Sequence, residues 1–156
     1  MGALANSRRT ASMDAHVADA QKSGGKLRTG GHRIGNRGNF FEPTVVTEVP
    51  KSAKTMNEEP FGPIAVINPF KTFDDAVTEA NRLPFGLASY AFTKSAKTAN
   101  AIAAEVEVGM MTINHLGLAL PEVPFGGVKD SGYGTEGGAD AIEAYLNTKF
   151  VSQAGI

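Results

Sequence analysis

The feature that most constrains the fold is an alternation of strand patterns and helix patterns in the middle of the chain. Residues 64–68 form a short apolar run, which is typical of a strand buried on both faces. Residues 87–93 and 110–114 repeat the strand pattern, and a helix pattern occupies each interval. The alternation predicts an α/β fold, an open parallel sheet flanked by helices, with all three strands in one sheet.

Local signals set the ends of the two intervening helices. Thr72 with Asp75 three positions later resembles a capping box, and Pro84 is expected to end the helix that follows. Ser95 is expected to cap the second helix, which runs to about Val106.

The N-terminal part of the chain carries three further patterns. Residues 7–21 have apolar side chains at helical spacing and predict an amphipathic helix. Residues 26–29 and 40–46 predict strands, and Pro43 favours an edge or irregular position for the second.

Composition narrows the class of protein. The length of 156 residues is that of one domain. The formal net charge of −1 gives no indication of nucleic-acid binding, which favours basic proteins. No apolar run approaches the roughly 18 residues of a membrane helix, so we expect no membrane partner and a cytoplasmic location. The three histidines lack ligand spacing, so we expect no metal site. The absence of cysteine excludes disulfides, thiolate metal sites and a thiol nucleophile.

Five short motifs are spread over nearly the whole chain. They are Leu-Ala-Asn-Ser-Arg-Arg at 4–9, Phe-Glu-Pro-Thr-Val at 41–45, Glu-Glu-Pro-Phe-Gly-Pro at 58–63, Phe-Gly-Leu-Ala-Ser-Tyr at 85–90 and Pro-Phe-Gly-Gly-Val-Lys at 124–129. None is specific alone, but the ordered set resembles the C-terminal part of the catalytic domain of the aldehyde dehydrogenase family. The last motif and the residues after it are similar to succinate-semialdehyde dehydrogenases in particular.

The resemblance implies NAD(P)-dependent oxidation of an aldehyde to a carboxylic acid. In that reaction a cysteine thiolate attacks the carbonyl, and hydride passes to the nicotinamide. The resemblance also implies that Glu59, Phe61 and Leu87 contact the cofactor, with the Glu59 carboxylate accepting hydrogen bonds from ribose hydroxyls. Without the family context, Glu59 is more simply a solvated side chain, and Phe61 and Leu87 are core residues.

The resemblance implies a substrate tunnel lined by Ala119 and Leu120, with Phe125 as an aromatic wall. The alternative for Phe125 is again a core position. Succinate-semialdehyde dehydrogenases often place a serine where this chain has Ala119 and Leu120, and neither residue can bond a substrate carboxylate. Succinate semialdehyde and a less polar aldehyde therefore remain alternative substrates.

The family's nucleophilic cysteine, general-base glutamate and Rossmann half have no counterpart in this sequence. We therefore assign no catalytic residue. We expect a C-terminal fragment that oxidises no aldehyde by itself and binds NAD or NADP negligibly. The alternative function is a non-catalytic fragment that acts only in self-association or in complementation of another polypeptide.

The expected organisation is a partial catalytic domain over residues 1–146, with a short helix at 139–145. Residues 147–156 are expected to form a tail with a strand at 148–153, and that strand matches one that the family uses in subunit contacts. A sheet cut in mid-domain leaves an unpaired edge. We therefore expect a homo-oligomer, most simply a two-fold dimer, and the alternative is a monomer with the tail folded back.

Overall fold

Asn6 starts the first helix, α1 (Ser7–Lys22), because its side-chain oxygen accepts a hydrogen bond from the Arg9 N–H at 3.3 Å. The helix is part of a computed structural model that describes residues 1–155. Those residues form two compact units that divide after Phe70.

The buried stripe of α1 is the one that its sequence predicts. Met13, Val17 and Ala20 are all buried, which confirms the expected amphipathic helix. Ala20 packs with Val46 of the neighbouring sheet, whose side chain is fully buried. Burial of this stripe, rather than helix propensity, therefore holds α1 in place.

The first unit contains a three-stranded sheet in the order β1 (Lys26–Thr29), β2 (Thr44–Thr47) and β3 (Ile64–Ile67). The pairing of β1 with β2 is antiparallel, and the pairing of β2 with β3 is parallel.

Two expectations about these strands need correction. The strand that follows Pro43 is the middle strand and not an edge, because it begins after the proline and keeps all its N–H groups.

The second correction concerns β3. The run at 64–68 predicts a strand buried on both faces, but burial alternates along β3, and Ile67 is 58% exposed. In the described residues β3 pairs only with β2, so its outer edge and one of its faces stay uncovered.

The second unit begins with two local signals that the structure confirms. Thr72 accepts a hydrogen bond from the Asp75 N–H while the Asp75 carboxylate accepts one from the Thr72 N–H, so the capping box is complete. Ser95 accepts from the Thr98 N–H and caps its own helix. The elements of this unit are α2 (Phe73–Ala80), β4 (Phe85–Gly86), β5 (Ala88–Ala91), α3 (Ala96–Glu105), β6 (Met110–Ile113) and β7 (Val128–Lys129).

Strand pairing in the second unit confirms the α/β class and corrects its detail. Strands β5 and β6 are parallel, and β4 pairs with β7 in the antiparallel sense. The three strand patterns at 64–68, 87–93 and 110–114 do not share one hydrogen-bonded sheet within residues 1–155. Periodicity indicates that a strand exists, but tertiary contacts decide which edge it joins.

The C-terminal segment is only partly as expected. Residues Ala139–Tyr145 form a helix of the 3-10 type. Residues 148–153 form no strand, and their side chains are exposed. A strand needs a hydrogen-bonding neighbour, and the described part of the single chain offers none there. The use of this segment in subunit contacts therefore stays a prediction.

Among residues 1–155, no helix has both the length and the apolar character needed to cross a membrane.

Candidate functional site

Glu59 and Phe61 project from one loop of the first unit, residues 58–63, which joins a 3-10 helix (Lys54–Met56) to β3. Both side chains are exposed. Phe61 is 64% exposed, so it does not occupy the core position that was its alternative interpretation. Phe61 also has φ +45°, a left-handed conformation that non-glycine residues rarely adopt. Such strain persists only where the surroundings impose it.

The surroundings of Phe61 supply that constraint. Gly62 lies against the buried side chain of Met13, and a β-carbon at Gly62 would meet the Met13 sulfur. The next residue, Pro63, accepts a hydrogen bond from the Thr44 N–H at 2.8 Å. The chain therefore enters β3 along a fixed path, and the Phe61 ring is left on the outside.

The start of the same loop is also fixed. The Asp19 carboxylate accepts a hydrogen bond from the Lys54 N–H at 2.6 Å. The Lys54 carbonyl accepts from the Glu58 N–H at 2.8 Å, and their side chains form an ion pair at 3.2 Å. In the described residues the Glu59 carboxylate has no such partner, so its two oxygens are available to donors from outside.

Leu87 lies in the second unit, between β4 and β5. It is 43% exposed, which also argues against a core role. Its backbone is held firmly, since its carbonyl accepts from the Met110 N–H at 3.0 Å. The preceding Gly86 is buried, and a β-carbon there would meet the Glu107 carbonyl oxygen.

Phe125 lies in a loop that returns to the same strands. Its N–H donates to the Glu136 carbonyl at 2.6 Å, and its carbonyl accepts from the Glu136 N–H at 2.7 Å. The next residue, Gly126, places its carbonyl oxygen against Gly109, where no β-carbon would fit. Phe125 is 37% exposed, so its ring is neither buried in the core nor fully open to solvent.

A tight turn fastens the Phe125 loop to the Leu87 segment. Gly86 pairs with Val128 through β4 and β7, and the Gly86 N–H donates to the Ser131 hydroxyl at 2.9 Å. The Lys129 ammonium group donates to the Asn81 carbonyl at 3.2 Å and forms an ion pair with Glu107. The structure therefore brings Leu87 and Phe125 into one connected part of the second unit.

Ala119 and Leu120 lie earlier in the same loop, and both are exposed. The Leu120 carbonyl accepts from the Val123 N–H at 3.3 Å, and the Gly138 N–H donates to the Pro121 carbonyl at 3.0 Å. These bonds form a surface turn beside the Phe125–Glu136 bridge. Ala119, Leu120 and Phe125 therefore share one loop, while Glu59 and Phe61 belong to the first unit.

Asn114 and Asp19 are two residues whose roles the sequence patterns did not reveal. Asn114 directly follows β6 and has φ +64°. Its carboxamide accepts a hydrogen bond from the Thr93 N–H at 2.8 Å and donates one to the Thr93 carbonyl at 2.9 Å. An asparagine after a strand is a signal for such a conformation. The Asp19 contact has no comparable local signal.

One buried titratable group lies near the 58–63 loop. His16 of α1 is 2% exposed, and its Nδ1 has no hydrogen-bond partner in the described residues. Burial, and then the positive charge of Lys54, lower the pKa of His16 below its usual 6.5. His16 is therefore neutral at physiological pH. In residues 1–155, no group of three or more acidic or histidine side chains could hold a metal ion.

Comparison with known proteins matches the chain to the aldehyde dehydrogenase family. A sequence model of the aldehyde dehydrogenase family matches residues 1–151. The chain is 44% identical over 151 residues to 4-(hydroxymethyl)benzenesulfonate dehydrogenase of Comamonas testosteroni. That match spans 97% of this chain and 31% of that protein. It is 40% identical to a probable succinate-semialdehyde dehydrogenase [NADP(+)] of Sinorhizobium fredii, over 100% of this chain and 32% of that protein.

A solved structure gives the same result for the fold. Succinate-semialdehyde dehydrogenase from Burkholderia pseudomallei superposes with a TM-score of 0.89 at 38% identity, over 93% of this chain and 30% of that one. The chain spans about a third of the length of the curated relatives it matches.

Proposed function

Because the chain belongs to the aldehyde dehydrogenase family, we propose that it contributes the nicotinamide-ribose and aldehyde contacts of an NAD(P)-dependent aldehyde oxidation. The observation that carries this proposal is the Glu59–Phe61 segment, a strained and exposed loop held at both ends. Strained backbone of the kind found at Phe61 clusters at active sites and ligand contacts.

The cofactor fits the residues present on chemical grounds. A ribose diol offers two O–H donors, and the free Glu59 carboxylate offers two acceptor oxygens. Phe61 presents apolar surface for the nicotinamide-ribose end. Leu87, in the second unit, keeps the cofactor contact that family membership suggests. When bound, the cofactor would supply the hydride acceptor, and Glu59 and Phe61 would orient its nicotinamide ribose. The roles proposed here concern the nicotinamide ribose, whereas NAD and NADP differ at the adenine ribose.

The isolated polypeptide is proposed to be inactive, because the sequence contains no cysteine to supply the thiolate. The test mixes purified chain with NAD or NADP and a panel of aldehydes, and follows reduced nicotinamide by absorbance. Succinate semialdehyde, glutarate semialdehyde, a sulfonated aldehyde and an uncharged aldehyde make up the panel. Turnover above the protein-free blank contradicts the proposal.

Cofactor binding by the isolated chain is proposed to be weaker than about 1 mM, where binding is worth only about 4 kcal/mol. Glu59, Phe61 and Leu87 account for one end of the cofactor only. Calorimetry with each cofactor measures the affinity. A micromolar dissociation constant that Glu59→Gln abolishes would contradict the weak-binding proposal while supporting the assigned role of Glu59.

The second candidate function is a non-catalytic module of self-association or complementation. Large exposed apolar side chains favour it, since exposed apolar surface commonly marks an interface. They include Phe85, Tyr90, Phe92, Leu116, Phe150 and Val151. Light scattering at several concentrations, on the chain and on a variant lacking residues 148–156, is the test. A monomer mass throughout, unchanged by the deletion, contradicts the oligomer.

A further inference from the structure

We propose that Asp19 is a positioning residue for Glu59 and Phe61, an inference that rests on the cofactor role proposed for the 58–63 loop. Asp19 lies on α1, and its half-buried carboxylate accepts the Lys54 N–H at 2.6 Å. That N–H is the first of a 3-10 helix, where no partner within the helix is available. Asp19 therefore fixes the orientation of a turn that lies 35 positions further along the chain.

Lys54 passes this constraint to the start of the loop. Its carbonyl accepts hydrogen bonds from the Asn57 N–H at 3.0 Å and the Glu58 N–H at 2.8 Å. Its ammonium group forms an ion pair with the Glu58 carboxylate at 3.2 Å. A change in the orientation of the Lys54 peptide therefore moves the residue that directly precedes Glu59.

The other end of the loop is seated on the same helix. Gly62 packs against Met13, which lies on α1 as Asp19 does. One rigid helix thus holds both the entry and the exit of the loop, and Glu59 and Phe61 lie between the two supports. Loss of the hydrogen bond between the Lys54 N–H and Asp19 frees the start of the loop, while Met13 still holds its end. The loop therefore turns about Gly62. The Glu59 carboxylate moves as a result.

The negative charge of Asp19 strengthens the hydrogen bond that its carboxylate accepts from the Lys54 N–H. A hydrogen bond from a backbone N–H to a carboxylate is shorter and stronger than one to a neutral oxygen. Asp19→Ala removes the acceptor, whereas Asp19→Asn keeps an oxygen acceptor without the charge. Asp14→Ala is a matched control, because Asp14 lies exposed on the same helix.

The test uses NMR on the uniformly labelled 156-residue chain. Amide hydrogen exchange is measured for Lys54, Glu58 and Phe61, and for Val46 as a reference in the core of the same unit. We expect Asp19→Ala to accelerate exchange at Lys54 and Glu58, relative to Val46, by roughly tenfold to a hundredfold, the range for losing a hydrogen bond to a charged group. The Lys54 amide proton should move upfield, and Asp19→Asn should restore part of both changes.

The contrary results are equally specific. Unchanged exchange at Lys54 and Glu58 in Asp19→Ala overturns the proposal, and so does an equal acceleration in Asp14→Ala. If Asp19→Ala does not fold, Asp19→Asn decides. Its Lys54 amide proton must move upfield while Val46 keeps its protection, and an unchanged shift overturns the proposal. These spectra contain no cofactor, so the result is separate from the cofactor role proposed for Glu59 and Phe61.

Discussion

The Gly86 N–H donates a hydrogen bond to the Ser131 hydroxyl at 2.9 Å, across 45 positions of sequence. The bond ties the residue before Leu87 to the turn that follows the Phe125 loop. Gly86 is buried, so its N–H has little access to water as a substitute partner. The Ser131 side chain therefore adds to the pairing of β4 with β7 in fixing the relative placement of the two proposed ligand-contacting segments of the second unit.

Ser131→Ala is expected to destabilise the second unit by about 1–3 kcal/mol, the cost of leaving a buried N–H unsatisfied. Urea unfolding followed by tyrosine fluorescence measures the change, since all three tyrosines lie in that unit. Ser152→Ala, in the exposed C-terminal segment, is the control and should leave the midpoint unchanged. Equal midpoints for both variants would show that the Ser131 bond contributes nothing.

Gly109→Ala is expected to destabilise the same unit by about 1–3 kcal/mol, because overpacked sites relax only at a cost. A β-carbon at position 109 would meet the Gly126 carbonyl, and a backbone atom cannot rotate away as a side chain can. Gly117→Ala is the matched control, since the nearest atom to its β-carbon would be in ordinary contact at 3.7 Å. The urea midpoint should fall for Gly109→Ala alone, and retention of the wild-type midpoint contradicts the predicted clash.

Thr72→Ala is expected to cost about 1 kcal/mol of stability, the usual effect of removing an N-cap hydroxyl. The loss follows from the complete capping box at the start of α2. Thr78→Ala, at an exposed position inside the same helix, should be neutral or slightly stabilising because alanine is the better helix former. Tyrosine-monitored urea unfolding compares the two, and a larger loss for Thr78→Ala would refute the capping argument.

The first unit should lose stability as the pH falls from about 7 to about 5. The pKa of His16 is lowered in the folded chain, so the unfolded chain binds more protons below the usual value of 6.5 and acid favours unfolding. Unfolding followed by the Val46 amide signal gives the profile. His16→Gln should flatten it, while His32→Gln, at an exposed histidine, should not.

A second group acts at lower pH in the same unit. The hydrogen bond from Lys26 lowers the pKa of Glu48 below its usual 4.5. The contribution of Glu48 to the stability of the first unit is therefore present above that value and is lost as the carboxylate protonates below it.

The His16 prediction has a contrary result of its own. If the stability of the first unit still falls between about pH 7 and 5 in His16→Gln, that loss belongs to another residue.

Much of the local structure was predictable because its causes are local. The stripe on α1, the capping box at Thr72 and the cap at Ser95 each depend on residues within two turns of one another. The parallel pairing of β5 with β6 follows in the same way from two strands joined by a helix.

The rest depends on contacts that sequence patterns do not encode. The outer edge of β3 has no strand in the described residues, although its apolar run suggested cover on both faces. The motif resemblance pointed to Phe61, but not to its left-handed backbone or to the packing of the next residue, Gly62, on Met13. The links from Asp19 to Lys54 and from Ser131 to Gly86 join residues far apart in sequence, so only the folded chain reveals them.

The seating of Gly62 on Met13 also limits how this loop can evolve or be redesigned. The two positions share a single volume, so a side chain gained at the glycine must be matched by volume lost at the methionine. Homologues are expected to change the two together or to keep both. A library that diversifies residues 58–63 to alter the strength of cofactor binding should therefore hold position 62 constant or vary position 13 with it.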